Sequence, residues 1–292
     1  MTVWDNPIRL MIVGAEKAGT TSLLRHLAQS PKFCTHQQQE MVFFTGGEYG
    51  QGEAYAIDKY FPKATGCMLL AKDVRLLADE NALLRLKNAS PDVKIVVMLR
   101  EPASRAYSAY IHAKAKGRDV ADSFEEAIGL AGVMSQRLPL ETRQYIRGSA
   151  YAERVSYLLQ MFGKDNVLII FHSEYRANPM AGLLQIEQFM GEALFADVKL
   201  NLIEHNKAVK AKSKVLARIV RSVLRSNGLM KTAIRRILPH RFAVLLRDAI
   251  INMNKVEKEY APLNEDTASA IREALHPDAI ELVRLVGRCP WL

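Results

Sequence analysis

Residues 8–22 read Ile-Arg-Leu-Met-Ile-Val-Gly-Ala-Glu-Lys-Ala-Gly-Thr-Thr-Ser, and the fold turns on them. The apolar run Ile8–Val13 is strand-sized, Gly14 and Gly19 bracket a loop, and Ser22–Gln29 carries helical spacing until Ser30-Pro31 stops it. A strand, a phosphate-sized loop and a helix in that order bring backbone amides and the positive end of a helix dipole to one anion. Of the template Gly-x-x-x-x-Gly-Lys-Ser/Thr, three positions are filled, by Gly14, Gly19 and Thr21. The fourth is not, because Thr20 stands where a nucleoside-triphosphate enzyme has lysine. Lys17, the loop's one lysine, would reach a group at the loop's mouth instead of a γ-phosphate held deep with Mg²⁺. The spacing predicts a site for a phosphate-bearing donor other than ATP, lined by Lys17, Ala18, Gly19, Thr20, Thr21 and Ser22.

Working outward, Met68–Leu70, Lys94–Leu99 and Val167–Phe171 are further short apolar runs. Helical spacing falls at Ala82–Lys87, Pro102–Lys116, Ser123–Leu130, Tyr151–Phe162 and Pro179–Met190. That alternation predicts an α/β, P-loop-like three-layer fold, a central parallel sheet flanked by helices with a helical C-terminal part. The chain has 292 residues, 49% of them hydrophobic, enough for one domain over 1–292, with a helical, basic insertion or subdomain at about 205–260. No run approaches the roughly 18 apolar residues that span a bilayer, and the amino terminus lacks the pattern of a secretion signal. Cys34, Cys67 and Cys289 are odd in number and form no Cys-x-x-Cys pair, so neither a disulfide framework nor a zinc site is expected, and a cytoplasmic location is. No metal-ligand motif stands elsewhere.

The net charge of +9 is local: Lys207–Arg247 holds twelve Lys/Arg and no Asp or Glu, leaving 28 basic against 31 acidic residues elsewhere. From Lys214, Val215, Leu216, Ile219, Val220, Val223 and Leu224 make an apolar stripe opposite Lys214, Arg218, Arg221 and Arg225. Two readings stay open there, a solvated face on a core-packing helix and a surface for an anionic glycan or a membrane.

A second anion site is written at Lys94–Tyr110, Lys-Ile-Val-Val-Met-Leu-Arg-Glu-Pro-Ala-Ser-Arg-Ala-Tyr-Ser-Ala-Tyr. A buried strand delivers Arg100 at its carboxyl end, Pro102 opens a helix, and Ser108 follows on that helix. A guanidinium there can take a phosphate by paired charged hydrogen bonds and the serine by a neutral one.

Glu16–Leu23 (Glu-Lys-Ala-Gly-Thr-Thr-Ser-Leu) resembles the 5′-phosphosulfate loop of sulfotransferases that use 3′-phosphoadenosine 5′-phosphosulfate (PAPS), and the Arg100 string is similar to the 3′-phosphate motif of their carbohydrate-type, heparan-sulfate and bacterial branch. The resemblance implies that Arg100 and Ser108 hold the 3′-phosphate, with Arg105 a further match. Gly148-Ser-Ala-Tyr151 resembles a segment beside the adenine, implying a donor role for Tyr151, and Leu285–Trp291 resembles the family's closing signature. Lys212 is expected to close over the donor from the basic segment.

In-line sulfonate transfer needs charge stabilisation on the departing oxygen and a base for the acceptor's proton. Lys17 suits the first role. For the second, Gln39-Glu40-Met41-Val42-Phe43-Phe44 resembles the segment in which glycan sulfotransferases carry a glutamate base, implying Glu40, although the lysine that usually precedes it is Gln39 here. His36 is the rival, since other branches use histidine nearby. Lys72 falls where glycan sulfotransferases carry a lysine near the transferring group, and Asp73, like Glu174, is a candidate on the acceptor side. The expected co-substrate is PAPS, its product adenosine 3′,5′-bisphosphate, and the expected acceptor a hydroxyl or amine of a sugar, glycan or glycolipid, with a small polar secondary metabolite as alternative. No nucleic-acid partner is expected. Competing classes are a P-loop kinase, opposed by Thr20, and a basic nucleic-acid- or membrane-binding protein.

Overall fold

The computed structural model describes residues 3–116, 118–119, 121–129, 145–196, 198–202, 210–211, 255–256 and 261–292. Lys212, the stripe from Lys214 and nearly all of 207–247 lie outside the described residues, and with them the readings made there.

Five strands, β1 (Ile8–Gly14), β2 (Phe33–Thr35), β3 (Met68–Lys72), β4 (Lys94–Leu99) and β5 (Val167–Phe171), form one sheet in the order β2-β3-β1-β4-β5 with every neighbouring pair parallel. Helices α1 (Thr20–Leu27), α2 (Gly52–Tyr60), α3 (Glu80–Ala89), α4 (Pro102–Ala115), α5 (Phe124–Ile128), α6 (Ala152–Phe162), α7 (His172–Ala177), α8 (Pro179–Met190), α9 (Glu265–Ala274) and α10 (His276–Val286) flank it. Two-residue strands β6 (Lys210–Ala211) and β7 (Lys255–Val256) pair antiparallel apart from it. The expected α/β architecture is the observed one. Strands buried on both faces must be apolar at nearly every position, and Leu10–Val13 and Ile95–Leu99 are fully buried. Helix starts are fixed by the chemistry of their caps: Asp79 accepts from the Ala82 amide, Ser123 from Glu126 and Asn178 from Ala181.

The topology positions the site. The chain leaves β1 to one side for β2 and β3, then crosses to the other for β4 and β5, so β1 stands at the switch point where open α/β sheets bind ligands beyond their carboxyl ends. The loops after β3, β1 and β4 are therefore neighbours at one edge.

One expectation is corrected. Cys34, in β2, and Cys67, the residue before β3, are joined as a disulfide with Cα atoms 5.7 Å apart, and only Cys289 among the three is free. Counting cysteines missed the pair because a sequence separation of 33 hides that parallel pairing of β2 with β3, Cys34 opposite Leu69, brings their backbones together. The cysteine argument for a cytoplasmic location loses its premise. Among the described residues no helix is long and apolar enough to cross a membrane.

Candidate active site

The loop between β1 and α1 holds a conformation that its glycines permit. Gly14 has φ 147° and Gly19 φ 92°, and a Cβ on Gly19 would lie 3.0 Å from His172 Cδ2 and 3.3 Å from Met98 Sδ. Lys17 itself sits at φ 70°, left-handed backbone that side chains other than glycine seldom adopt. The Ala15 amide donates to the Met98 carbonyl at 2.7 Å, fastening the loop to the end of β4. Gly19 precedes α1 without a side-chain cap among the described residues, which leaves the first amides of the helix, from Thr20 and Thr21, facing the loop's mouth as donors for a ligand.

Lys17 and Arg100, predicted from stretches 83 residues apart, meet here: Arg100 Nη1 donates to the Lys17 carbonyl at 3.1 Å. Both are half-buried, and neither forms an ion pair among the described residues. Burial pushes the Lys17 ammonium below its ordinary range, with Lys116, Arg100 and Arg105 adding to the effect against Glu16. Burial likewise lowers Arg100. Two desolvated cations with no ion pair among the described residues make a setting that favours an anion. Ser108 lies half-buried on α4, whose start is capped by Glu101 accepting from the amides of Ala103 and Ser104 at 3.0 and 2.7 Å. Arg105 is structural, buried with Nε on Ser149 Oγ at 2.7 Å and Nη2 on the Tyr145 carbonyl.

Glu40, His36, Lys72 and Asp73 gather where β3 ends, and Lys72 is the hub. Its ammonium, 1% exposed, donates to Glu40 Oε1 at 2.5 Å, its amide donates to His36 Nε2 at 3.0 Å, and its carbonyl accepts from the Met41 amide at 2.7 Å. Three contacts from one residue fix the 36–41 loop, and the fully buried Phe43 and Phe44, packed on Trp4, anchor its far end. The cation absent at Gln39 is thus supplied from β3. Glu40 Oε2 accepts from the Val74 amide at 3.1 Å, and the Val74 carbonyl would lie 3.3 Å from a Cβ on Gly14, which sets the carboxylate beside the phosphate loop. Burial raises the Glu40 carboxyl above its usual range, against the pull of Lys72 and the Val74 amide.

Two expectations change here. His36, the rival base, has both nitrogens committed: with Nε2 accepting from Lys72, Nδ1 carries the proton and donates to the Gln38 carbonyl at 2.9 Å. Burial lowers it to about 4, so it stays neutral and has no lone pair for an acceptor. Asp73, expected on the acceptor side, is fully buried, with Oδ1 held by Arg75 Nε at 3.0 Å and Oδ2 by Thr45 Oγ1 at 2.5 Å, and it clamps the turn after β3. Tyr151, whose segment implied a donor role, is fully buried and donates to the Arg100 carbonyl at 2.8 Å. Glu174, the other acceptor-side candidate, pairs with Arg288.

Two groups escaped the sequence reading. His112 on α4 and Lys116 at its C-cap follow Ser108 at successive four-residue steps. Burial, then the charges of Lys17, Lys116 and Arg118, lower His112 to about 4, so a neutral imidazole stands within the field of Lys17. Burial and then Arg118 lower the Lys116 ammonium below its ordinary range, against Glu16 and Glu40. The four-residue step from Ser108 was the available signal. Among the described residues no group of three or more His, Cys, Asp or Glu could hold a metal ion.

The profile of the sulfotransferase domain matches residues 7–231, which include every candidate named above from Lys17 to Lys212. The chain belongs to the sulfotransferase domain family. It is 26% identical over 197 residues to the bifunctional heparan sulfate N-deacetylase/N-sulfotransferase 4 of Mus musculus, and 30% identical over 198 residues to the type 2 protein of Homo sapiens. Each match takes in 64% of this chain but 22% of the relative, so the chain spans about a fifth of the length of these curated relatives. The crystal structure of a sulfotransferase from Alicyclobacillus acidocaldarius shares the fold, with a TM-score of 0.56 at 26% identity over 77% of this chain and 96% of that one. Family membership displaces the kinase and the basic binding protein as readings of the phosphate loop.

Proposed function

We propose that this sulfotransferase-family chain moves a sulfonate group from PAPS to a hydroxyl or amine of a sugar, glycan or glycolipid, leaving adenosine 3′,5′-bisphosphate. The observation that carries the proposal is the order of groups along the carboxyl edge of the sheet: Glu40 with Lys72 at β3, Lys17 at β1 and Arg100 at β4, in neighbouring strands, with Arg100 bonded to the Lys17 backbone. A donor with a 5′-phosphosulfate on the loop and a 3′-phosphate at Arg100 and Ser108 presents its sulfur toward the Glu40 side. The acceptor atom attacks sulfur from there, and the bond from sulfur to the bridging oxygen breaks. Lys17 donates to that oxygen as charge develops on it, and Glu40 takes the acceptor's proton. A carboxyl raised by burial is matched to that task better than an ordinary surface glutamate. Ala18–Ser22 supply backbone and hydroxyl donors to the 5′ end, and Lys72 orients Glu40. Similarity to proteins named heparan sulfate N-sulfotransferases supports a sugar acceptor.

Transfer of labelled sulfonate from PAPS, screened over amino sugars, glycans, glycolipids and small polar metabolites, tests the proposal. Label is expected on a sugar, lost with Lys17→Ala and lowered about 10²-fold or more by Glu40→Gln, the usual worth of a general base. Label only on small metabolites would reassign the acceptor, and full turnover by Glu40→Gln would remove the base.

A further inference from the structure

A continuous run of hydrogen bonds leads from the C-terminal helix to the phosphate loop. Asp278, in the first turn of α10, accepts from the amides of Tyr151 and Ala152 at 2.9 Å each and so caps the start of α6. The Tyr151 hydroxyl donates to the Arg100 carbonyl at 2.8 Å, and the Arg100 guanidinium donates to the Lys17 carbonyl at 3.1 Å. The ring of Tyr151 is 0% exposed and packs on Trp291 at 6.0 Å between centroids, while Trp291 packs edge-on against Phe171 at 5.3 Å. Two residues earlier, Ser149 Oγ donates to the Pro102 carbonyl at 3.0 Å, so the segment before α6 underpins the whole Arg100–Pro102 turn. Tyr151 exposes no surface to a nucleotide, and a hydroxyl aimed at a buried main-chain oxygen is a bond that packing alone does not demand.

We propose that Tyr151 and Asp278 are positioning residues that set where the Arg100 guanidinium meets the 3′-phosphate, so that preference for a 3′-phosphorylated nucleotide depends on the C-terminal helix. Arg100 directly follows β4 in the short turn to α4 and its side chain bends back to the loop, so a shift of its carbonyl swings the guanidinium while the loop itself stays fastened through Ala15 and Met98. Misplacement of a binding group by about 1 Å weakens what it binds without abolishing the site. The 5′ end of the nucleotide, held by the loop, should be little affected.

The inference rests on Arg100 contacting the 3′-phosphate, and the test separates the two claims. Dissociation constants for adenosine 3′,5′-bisphosphate and adenosine 5′-monophosphate, which differ only in the 3′-phosphate, are measured by calorimetry on the full chain. Their ratio is compared among wild type, Tyr151→Phe, Asp278→Asn and Arg100→Ala. Tyr151→Phe keeps the ring in its packing, and the ratio is expected to fall about five- to tenfold, with binding of the monophosphate within about twofold of wild type. Asp278→Asn, which can cap only one amide well, should move the ratio the same way, and Arg100→Ala should remove most of it. A residue that merely stabilises the fold would weaken both nucleotides alike. If Arg100→Ala collapses the ratio and Tyr151→Phe leaves it unchanged, the positioning role is wrong and the donor site stands. If Arg100→Ala leaves the ratio intact, the 3′-phosphate assignment and the positioning role fall together.

Discussion

Replacing Lys72 by methionine should destabilise the protein by an amount that depends on pH, because it strips the partner from a half-buried carboxylate. The Lys72 side chain is 1% exposed and Glu40 20%, so this is an interior ion pair with one edge open to water. Breaking a buried pair by removing one partner costs about 3–5 kcal/mol. Glu40 keeps the Val74 amide and some access to solvent, which brings the expected loss at neutral pH to the low end, about 3 kcal/mol. The folded state already holds the Glu40 proton more tightly than the unfolded chain does, since burial raises its carboxyl, and losing Lys72 strengthens that bias. A raised carboxyl destabilises the fold only where it is ionised. The penalty is therefore absent below the ordinary glutamate range, develops as pH rises through it and is complete above Glu40's own raised value. Urea unfolding of wild type and Lys72→Met at pH 4 and pH 8 is expected to give a difference below about 1 kcal/mol at the lower pH, where methionine fills similar volume, and about 3 kcal/mol at the higher. Lys72→Met combined with Glu40→Gln, which removes both charges, should cost at least about 2 kcal/mol less than the two single changes added together at pH 8. An equal loss at both pH values, or additive single changes, would refute the pairing.

His36 should behave as a structural histidine. Its folded value of about 4 lies below the ordinary 6.5, so the stability it contributes is present above 6.5 and lost as pH falls toward 4, roughly 3 kcal/mol in all at ~1.4 kcal/mol per pH unit. His36→Gln should flatten that part of the stability profile while folded protein keeps its turnover at pH 8, and a turnover loss as deep as that of Glu40→Gln would restore His36 as the base. Replacing Cys34 and Cys67 together by alanine releases a closure of 33 residues and should lower stability by about 3–4 kcal/mol in oxidising buffer. Loss under 1 kcal/mol in urea unfolding would show that the disulfide does not form in solution.

The parts of the fold readable from sequence are those where burial dictates composition. Strands β4 and β5 and helix α8 match their expected bounds because strands in a parallel sheet must be apolar throughout and because Asn178-Pro179 writes a helix start in its own chemistry. Strand β2 escapes the sequence pattern since only Phe33 of its three residues is buried, and α2 because Ala56 and Tyr60 are its only buried residues. Lys17, Glu40 and Arg100 were legible as chemistry attached to strand ends. What sequence could not supply was which groups are spent on each other. The same sequence neighbourhood yields a carboxylate near the loop, a histidine with both nitrogens engaged and an aspartate locked by Arg75, and only the meeting of β3 with the 36–41 loop tells them apart. Tyr151 illustrates the same limit, since its segment suggested contact with a ligand and its hydroxyl turned out to serve the backbone of a residue that could make that contact.

Calorimetric titration of wild type and Lys17→Ala with adenosine 3′,5′-bisphosphate and with ATP in the presence of Mg²⁺ tests the donor site most directly. Binding of the bisphosphate by wild type, at least tenfold weaker in Lys17→Ala and stronger than that of ATP·Mg²⁺, is the expected result. Tighter binding of ATP·Mg²⁺, or a bisphosphate affinity that ignores Lys17, would contradict it.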